Sequence, residues 1–181
     1  VAAQRFRDDF LGVGQDGREP LTYPYAWAPP VNTGLPSGQD LDNDGAVTTT
    51  SGTEAYGDDC FGFGTYPGQY GLLVLSVHPI DTAAIRTFQR FLWRDVPEAQ
   101  LPSGWFSPEE RDVVRLSSKT HADVPIQLGA ATVHLLVSHP TPPTFDGPED
   151  RNGRRNHDEI RFWLDYVDGG PDSWHVDDDG I

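Results

Sequence analysis

Methionine is absent from this chain, cysteine and lysine occur once each, and no apolar run approaches the width of a bilayer. A membrane-crossing helix needs about 20 consecutive apolar residues, so none is expected, and no signal-peptide pattern opens the chain. The missing methionine implies a processed form or a piece of a longer polypeptide. The lone Cys60, in DDCFGFG, excludes an internal disulfide and reads as a small buried apolar side chain without chemistry of its own. Basic residues are scarce: 13 Lys and Arg stand against 28 Asp and Glu, a net charge of −15. Such a surface repels nucleic acid and anionic membranes unless a cation or a local basic patch intervenes. A general DNA-coating role is therefore disfavoured, and long nucleic acid stays open as a partner.

What is present suffices for one domain. The chain has 181 residues, 36% of them hydrophobic, with five Trp and nine Phe to build a core. Nineteen Gly and sixteen Pro, with apolar runs only a few residues long, point to short strands and structured loops rather than a helix bundle. No internal repeat and no second domain is visible.

Along the chain, VAAQRFRDDFL carries Ala2, Phe6 and Phe10 at helical spacing before Gly12 and Gly14. Residues 16–66 are turn-rich, and an irregular stretch of that length inside a compact domain is usually functional. LLVLS (72–76) reads as a buried strand ended by Pro79. IRTFQRFLW is ambiguous and is assigned to strand followed by turn. Ser107, Pro108 and Glu110 form a helix-start signature. ATVHLLVSH alternates with Val133, Leu135 and Val137 on one face, which predicts a core strand whose far end delivers His139. Asn156 and Glu159 form a second capping pattern, and Ile160, Trp163, Leu164 and Val167 share one helical face, which predicts a helix over 157–167 that stops at Gly169-Gly170-Pro171.

Several groups are candidates for chemistry. Arg151, Arg154 and Arg155 follow the loop after His139, and guanidinium forks match phosphate oxygens. They match the neighbouring Asp146, Glu149, Asp150, Asp158 and Glu159 equally well, as ties that hold the loop. Lys119 and His121, in LSSKTHADVP, can point at a phosphate or be a surface lysine and a structural histidine. Gln69 and Tyr70 are candidates to line the same cleft. Asp40, Asp42 and Asp44 before Gly45 have the alternate spacing that wraps oxygen ligands around Ca²⁺. Ser51 replaces the glutamate expected at the twelfth loop position, so only a shorter loop closed by Glu54 is open. His78, His134, His157 and His175 show no metal-ligand spacing.

The blocks VHLLVSHPTPPTFDGPEDRNGRRNHDEIRFW, FGFGTYPGQYGLLVLSVHPI, RTFQRFLWRD and RLSSKTHADVPI resemble the secreted bacterial branch of the endonuclease/exonuclease/phosphatase superfamily, the deoxyribonuclease-I-like proteins. The resemblance runs from about residue 8 to 178. It implies an α/β fold, a four-layer sandwich of two mixed β-sheets flanked by helices, and an extracellular hydrolase acting on a phosphoester with Mg²⁺ or another divalent cation at the sheet ends. His139 matches the site histidine that hydrogen-bonds the scissile phosphate. Val77-His78 stands where the family usually has an arginine and an aromatic.

The family's metal-binding glutamate, its Gly-Asp-x-Asn strand and its closing Asp-His pair find no counterpart. The chain is thus expected to be the middle of the domain, lacking the first and the C-terminal strands, and inactive by itself. Two functions follow: a metal-dependent phosphoesterase, or a non-catalytic extracellular module that binds calcium or another ligand on the same scaffold.

Overall fold

A computed structural model describes residues 2–169 and 173–181, so Gly170 and Pro171 of the expected helix stop lie outside the described residues. The opening helix forms as its spacing predicts. Helix α1 (Ala2–Arg5) continues through Phe6–Leu11 in wider turns, closed by the Gly12 amide donating to the Arg7 carbonyl at 2.8 Å. Phe6 and Phe10 stack on each other and stay exposed.

From Asp16 to Tyr66 the regular elements are a three-residue strand, β1 (Tyr25–Trp27), and a short helix, α2 (Glu54–Asp58). Specific bonds hold this long irregular segment in place. Asn32 is fully buried; its Nδ2 donates to the Gln89 and Ser117 carbonyls at 2.7 Å each, and its amide donates to the Lys119 carbonyl at 2.8 Å. A buried amide satisfied on several sides stabilises a loop that has little apolar surface to offer.

Strand β2 (Val74–Ser76) comes from the LLVLS run and pairs antiparallel with β1. The ambiguous aromatic segment is strand only over β3 (Arg86–Thr87); it then drops Phe88, Phe91 and Trp93 into the core and ends in a 3-10 turn at Trp93–Asp95. Helix α3 (Pro108–Arg111) starts at the expected capping box. The Glu110 amide donates to Ser107 Oγ at 3.2 Å, and the Ser107 amide donates to Glu110 Oε2 at 2.8 Å.

Strands β4 (Ala122–Leu128) and β5 (Ala131–Val137) form an antiparallel hairpin, in a three-stranded sheet ordered β3-β4-β5. Here the expected core strand is corrected. β5 is the edge strand, with Val133 and Leu135 exposed, whereas Ala122 and Val124 of β4 are fully buried. Alternation identifies a strand but not which strand the rest of the chain covers. β4 carries Pro125, whose missing amide is harmless because its carbonyl, and so that edge of the residue, faces the Asp81 amide rather than β5.

Helix α4 (Arg151–Asp168) starts six residues before the expected position, as the two first residues, 151 and 157, show. Its cap is remote: Asp146 Oδ2 accepts from the Asn152 amide at 2.6 Å, while Asp150 holds a left-handed backbone at φ 54°. The arginine cluster therefore sits on the helix and not in a turn. The predicted face is corrected in part: Ile160, Leu164 and Val167 are exposed, while Trp163 packs half-buried against the core. The inward face is Arg155, Asp158, Glu159 and Phe162, at the same helical spacing but mostly charged. Among the described residues the fold is mixed α/β with two small antiparallel sheets and few helices. Its core gathers Phe88, Phe91, Trp93, Phe106, Leu116 and Phe162, with Phe88 edge-on to Phe162 at 4.9 Å.

Candidate functional site

The charged face of α4 organises the loops around one large cleft of ≈ 810 Å³. Asp158 accepts from Trp93 Nε1 and from the Gln100 amide, both at 2.7 Å. Arg155 donates to the backbone carbonyls of Leu116, Arg115 and Phe61, at 2.9, 2.7 and 2.6 Å. Glu159, fully buried, accepts the Ser118 amide on Oε1 at 2.9 Å and the Thr141 amide on Oε2 at 2.5 Å. One helix thereby ties the loop at 61, the segment 115–119 and the turn after His139 together. Gly62 permits the closeness: a Cβ there would lie 1.8 Å from the Ser118 carbonyl oxygen.

The cleft is lined by His139, Lys119, Arg151 and Arg155 among the expected site residues, together with Tyr70. Arg154 and His121 are not in its lining. Arg154 donates to the Glu149 carbonyl at 3.2 Å. His121 is almost fully buried against Phe162 and Trp163, with Nε2 donating to the Glu159 carbonyl at 2.8 Å, so it faces the core and not a phosphate. Gln69 is likewise used internally, its Oε1 accepting from the Thr65 amide at 2.6 Å. Cys60 is buried beside Tyr56, and burial pushes its thiol up to about 11, which fits an inert side chain.

Lys119 is the larger surprise. The single lysine is not on the surface; it is 5% exposed, and its Nζ donates to Ser118 Oγ at 3.0 Å. Burial lowers its pKa below the usual lysine value; Glu159 works against that shift and Arg155 adds to it. His139 is exposed, and its pKa is lowered by partial burial and by the Lys119 charge. Arg151 pairs with Glu149 and lies over the Trp105 ring at 4.9 Å. Arg155 is committed to carbonyls, so of the cluster Arg151 is the arginine with a charge partner and a place in the cleft lining.

Carboxylates line the cleft as well, among them Asp42, Glu54 and Asp58. Among the described residues the acidic group able to share one ion is Asp40, Asp42 and Asp59, with ligand atoms within 4.8 Å of one another. Asp59, not Asp44 or Glu54, is its third member. Asp44 instead folds the loop on itself, its amide donating to Asp40 Oδ1 at 3.1 Å and to Asp42 Oδ1 at 3.2 Å. Asp59 is buried and oriented by the Leu41 and Thr48 amides, at 2.9 and 2.7 Å. Burial raises the Asp42 pKa, and the neighbouring Asp40, Asp44 and Asp59 add to it. An all-oxygen set under mutual repulsion suits a hard cation. The sequence concealed it because Asp59 follows Asp42 by seventeen positions, on the far side of α2.

On the outer face, His134 Nδ1 contacts both Asp123 oxygens at 2.8 and 3.0 Å, and Tyr166 donates to the same carboxylate at 2.7 Å. Among the described residues no helix is long and apolar enough to cross a membrane. Comparison with protein-family models, with curated proteins and with solved structures finds no match for this chain.

Proposed function

We propose that this chain belongs to a phosphoester-hydrolysing domain of the deoxyribonuclease-I-like kind, with the four-layer sandwich as the architecture of the complete domain and a secreted bacterial protein as its setting. The observation that carries the reading is the buried Lys119 lining the same cleft as His139 and Arg151. A desolvated ammonium binds anions more strongly than a surface one, and the two other cationic or polar partners suit a phosphate. His139 would hold a non-bridging oxygen and offset the charge that grows in the transition state.

The divalent cation implied by the resemblance would neutralise the phosphate and activate the attacking water. The residues beside His139 do not fit it. Glu159 has both oxygens engaged by the Ser118 and Thr141 amides, Lys119 repels a cation, and the acidic group able to share one ion, Asp40, Asp42 and Asp59, reaches the cleft lining only through Asp42. No step through a metal is therefore assigned to this chain.

Turnover of bis-p-nitrophenyl phosphate with Mg²⁺ or Ca²⁺ tests the proposal, on the 181-residue chain and on the full product of its gene. The 181-residue chain is expected to hydrolyse no faster than buffer, and an active gene product to lose activity on His139→Ala by roughly 10²-fold or more. A gene product unaffected by that change would remove His139 from the site. One observation favours a second reading, a non-catalytic calcium-binding module: the Asp40, Asp42 and Asp59 triad. An inactive gene product that still binds Ca²⁺ would support it.

A further inference from the structure

Thr141 is 7% exposed and lines the cleft two residues beyond His139. Its backbone is pinned on both sides: the amide donates to Glu159 Oε2 at 2.5 Å, and the carbonyl accepts from Asn156 Nδ2 at 2.7 Å. Its hydroxyl is different. Oγ1 is buried without a hydrogen-bond partner, a state that folded proteins leave to few groups and that asks for a missing partner. Lys119 poses the same question. Its ammonium has three donors, and its hydrogen bond is to Ser118 Oγ. The Glu159 carboxylate, taking Ser118 on one oxygen and Thr141 on the other, holds these two segments against each other.

We propose that Lys119 Nζ and Thr141 Oγ1 form an oxyanion subsite in the cleft that takes the non-bridging oxygens of a phosphoryl group. It rests on the phosphoester reading and adds to it the side chains that receive the phosphoryl group. Both residues belong to the cleft lining, and each carries a buried donor with hydrogen-bonding capacity to spare. A cation is repelled by the ammonium, and a neutral ligand would leave the Glu159 carboxylate shared between the Lys119 and Arg155 cations. Arg151, in the same lining, supplies charge for a further oxygen. The attraction of the anion would also offset the desolvation that lowers the Lys119 pKa.

Lys119 being the only lysine makes the test direct. Biosynthetic incorporation of ¹³C,¹⁵N-lysine places the signals of this one unmodified side chain in the spectrum. Inorganic phosphate, phenyl phosphate and acetate are titrated against it at pH 7, without metal, and against unlabelled protein by calorimetry. Both phosphates are expected to shift the lysine signal saturably, and acetate far less. Thr141→Val, which keeps the backbone contacts, and Lys119→Met are each expected to weaken phosphate binding by ~10-fold or more. Arg154→Gln, outside the cleft lining, is expected to leave it unchanged.

Equal affinity for inorganic and phenyl phosphate, or a preference for the latter, both support the phosphoryl group as the ligand. Should Lys119→Met fail to fold, Thr141→Val decides. No saturable shift with either phosphate, acetate binding as tight as phosphate, or undiminished binding to Thr141→Val would each overturn the subsite. Turnover does not enter the measurement, so intact phosphate binding without hydrolysis by the gene product overturns the hydrolase reading alone.

Discussion

Replacing Glu159 by glutamine keeps the volume of the side chain and removes a charge and one acceptor oxygen from the most connected point of the cleft. The carboxylate is fully buried and holds the Ser118 and Thr141 amides at 2.9 and 2.5 Å. Glutamine can accept from one of them; its amino group then meets the other donor head-on. Losing a hydrogen bond to a charged acceptor costs about 1.5–3 kcal/mol. The second cost is electrostatic. Glu159 is the nearby negative charge that favours the charged forms of Lys119 and Arg155, and removing one member of a buried charged group costs about 3–5 kcal/mol.

The two costs overlap, since both follow from the same oxygen atoms, so the expected loss is about 3–5 kcal/mol and not their sum. For a chain of this length each kcal/mol lowers Tm by about 2–4 °C, which gives a fall of about 6–20 °C. Urea unfolding followed by tryptophan fluorescence measures the free energy, and a thermal melt gives Tm. Adding Lys119→Met to Glu159→Gln should cost less than the two single losses added, because the ammonium no longer needs its partner. A loss below about 1 kcal/mol for Glu159→Gln would refute the argument that this carboxylate holds the cleft together.

Two further outcomes are expected. Ca²⁺ should raise Tm through the Asp40, Asp42 and Asp59 triad, and Asp59→Asn or Asp42→Asn should abolish the rise while Asp44→Asn leaves it; a rise that depends on Asp44 instead would return the site to the spacing seen in the sequence. Stability should fall on mild acidification: His121 is almost fully buried, with Nδ1 lacking a partner, and burial lowers its pKa from 6.5. The unfolded chain then takes up a proton near that pH which the folded chain refuses, so this stability is present above 6.5 and is lost as pH falls below it, by up to ~1.4 kcal/mol per pH unit. Urea midpoints at pH 7.5, 6.5 and 5.5 measure it, and midpoints that do not move would rule the histidine out as the cause.

Local rules carried well from sequence to fold wherever a few neighbouring residues decide the outcome. The capping box at Ser107 and Glu110 is such a case, as are the opening helix and the scarcity of regular structure from Asp16 to Tyr66. Boundaries and faces fared worse for an identifiable reason. Helix α4 begins at Arg151 because a remote carboxylate, Asp146, supplies the cap, and no local signature marks such a start. Its apolar stripe of Ile160, Leu164 and Val167 points outward, while the inward face spends its positions on Arg155, Asp158 and Glu159. Hydrophobic periodicity assumes that the buried face is the apolar one; here the period is right and the face is reversed.

The site was legible in its residue types and illegible in its assembly, and the difference lies in what burial does to charge. His139 at the end of β5 and the nearby arginines could be picked out because strand, loop and helix follow one another in the chain. Lys119 could not be placed, since a lone lysine is ordinarily a surface residue. What puts it inside is a set of contacts across 39 positions and more: Asn32 on its carbonyl, Glu159 on the neighbouring Ser118 amide, Arg155 on the carbonyls before it. Each of these partners is polar, so each reads in the sequence as a candidate for solvent or substrate. A buried polar residue reveals itself only through the backbone groups it satisfies, and those groups carry no residue identity. The arginine cluster divides on this principle: Arg155 is consumed by three carbonyls, Arg154 by one, and Arg151, paired with Glu149, lies in the cleft lining. The same accounting separates Glu159, whose oxygens are both engaged, from the Thr141 hydroxyl, which has no partner. Among the described residues, Thr141 is the one whose unmatched buried group belongs to the cleft lining, which is why the proposed subsite rests on it.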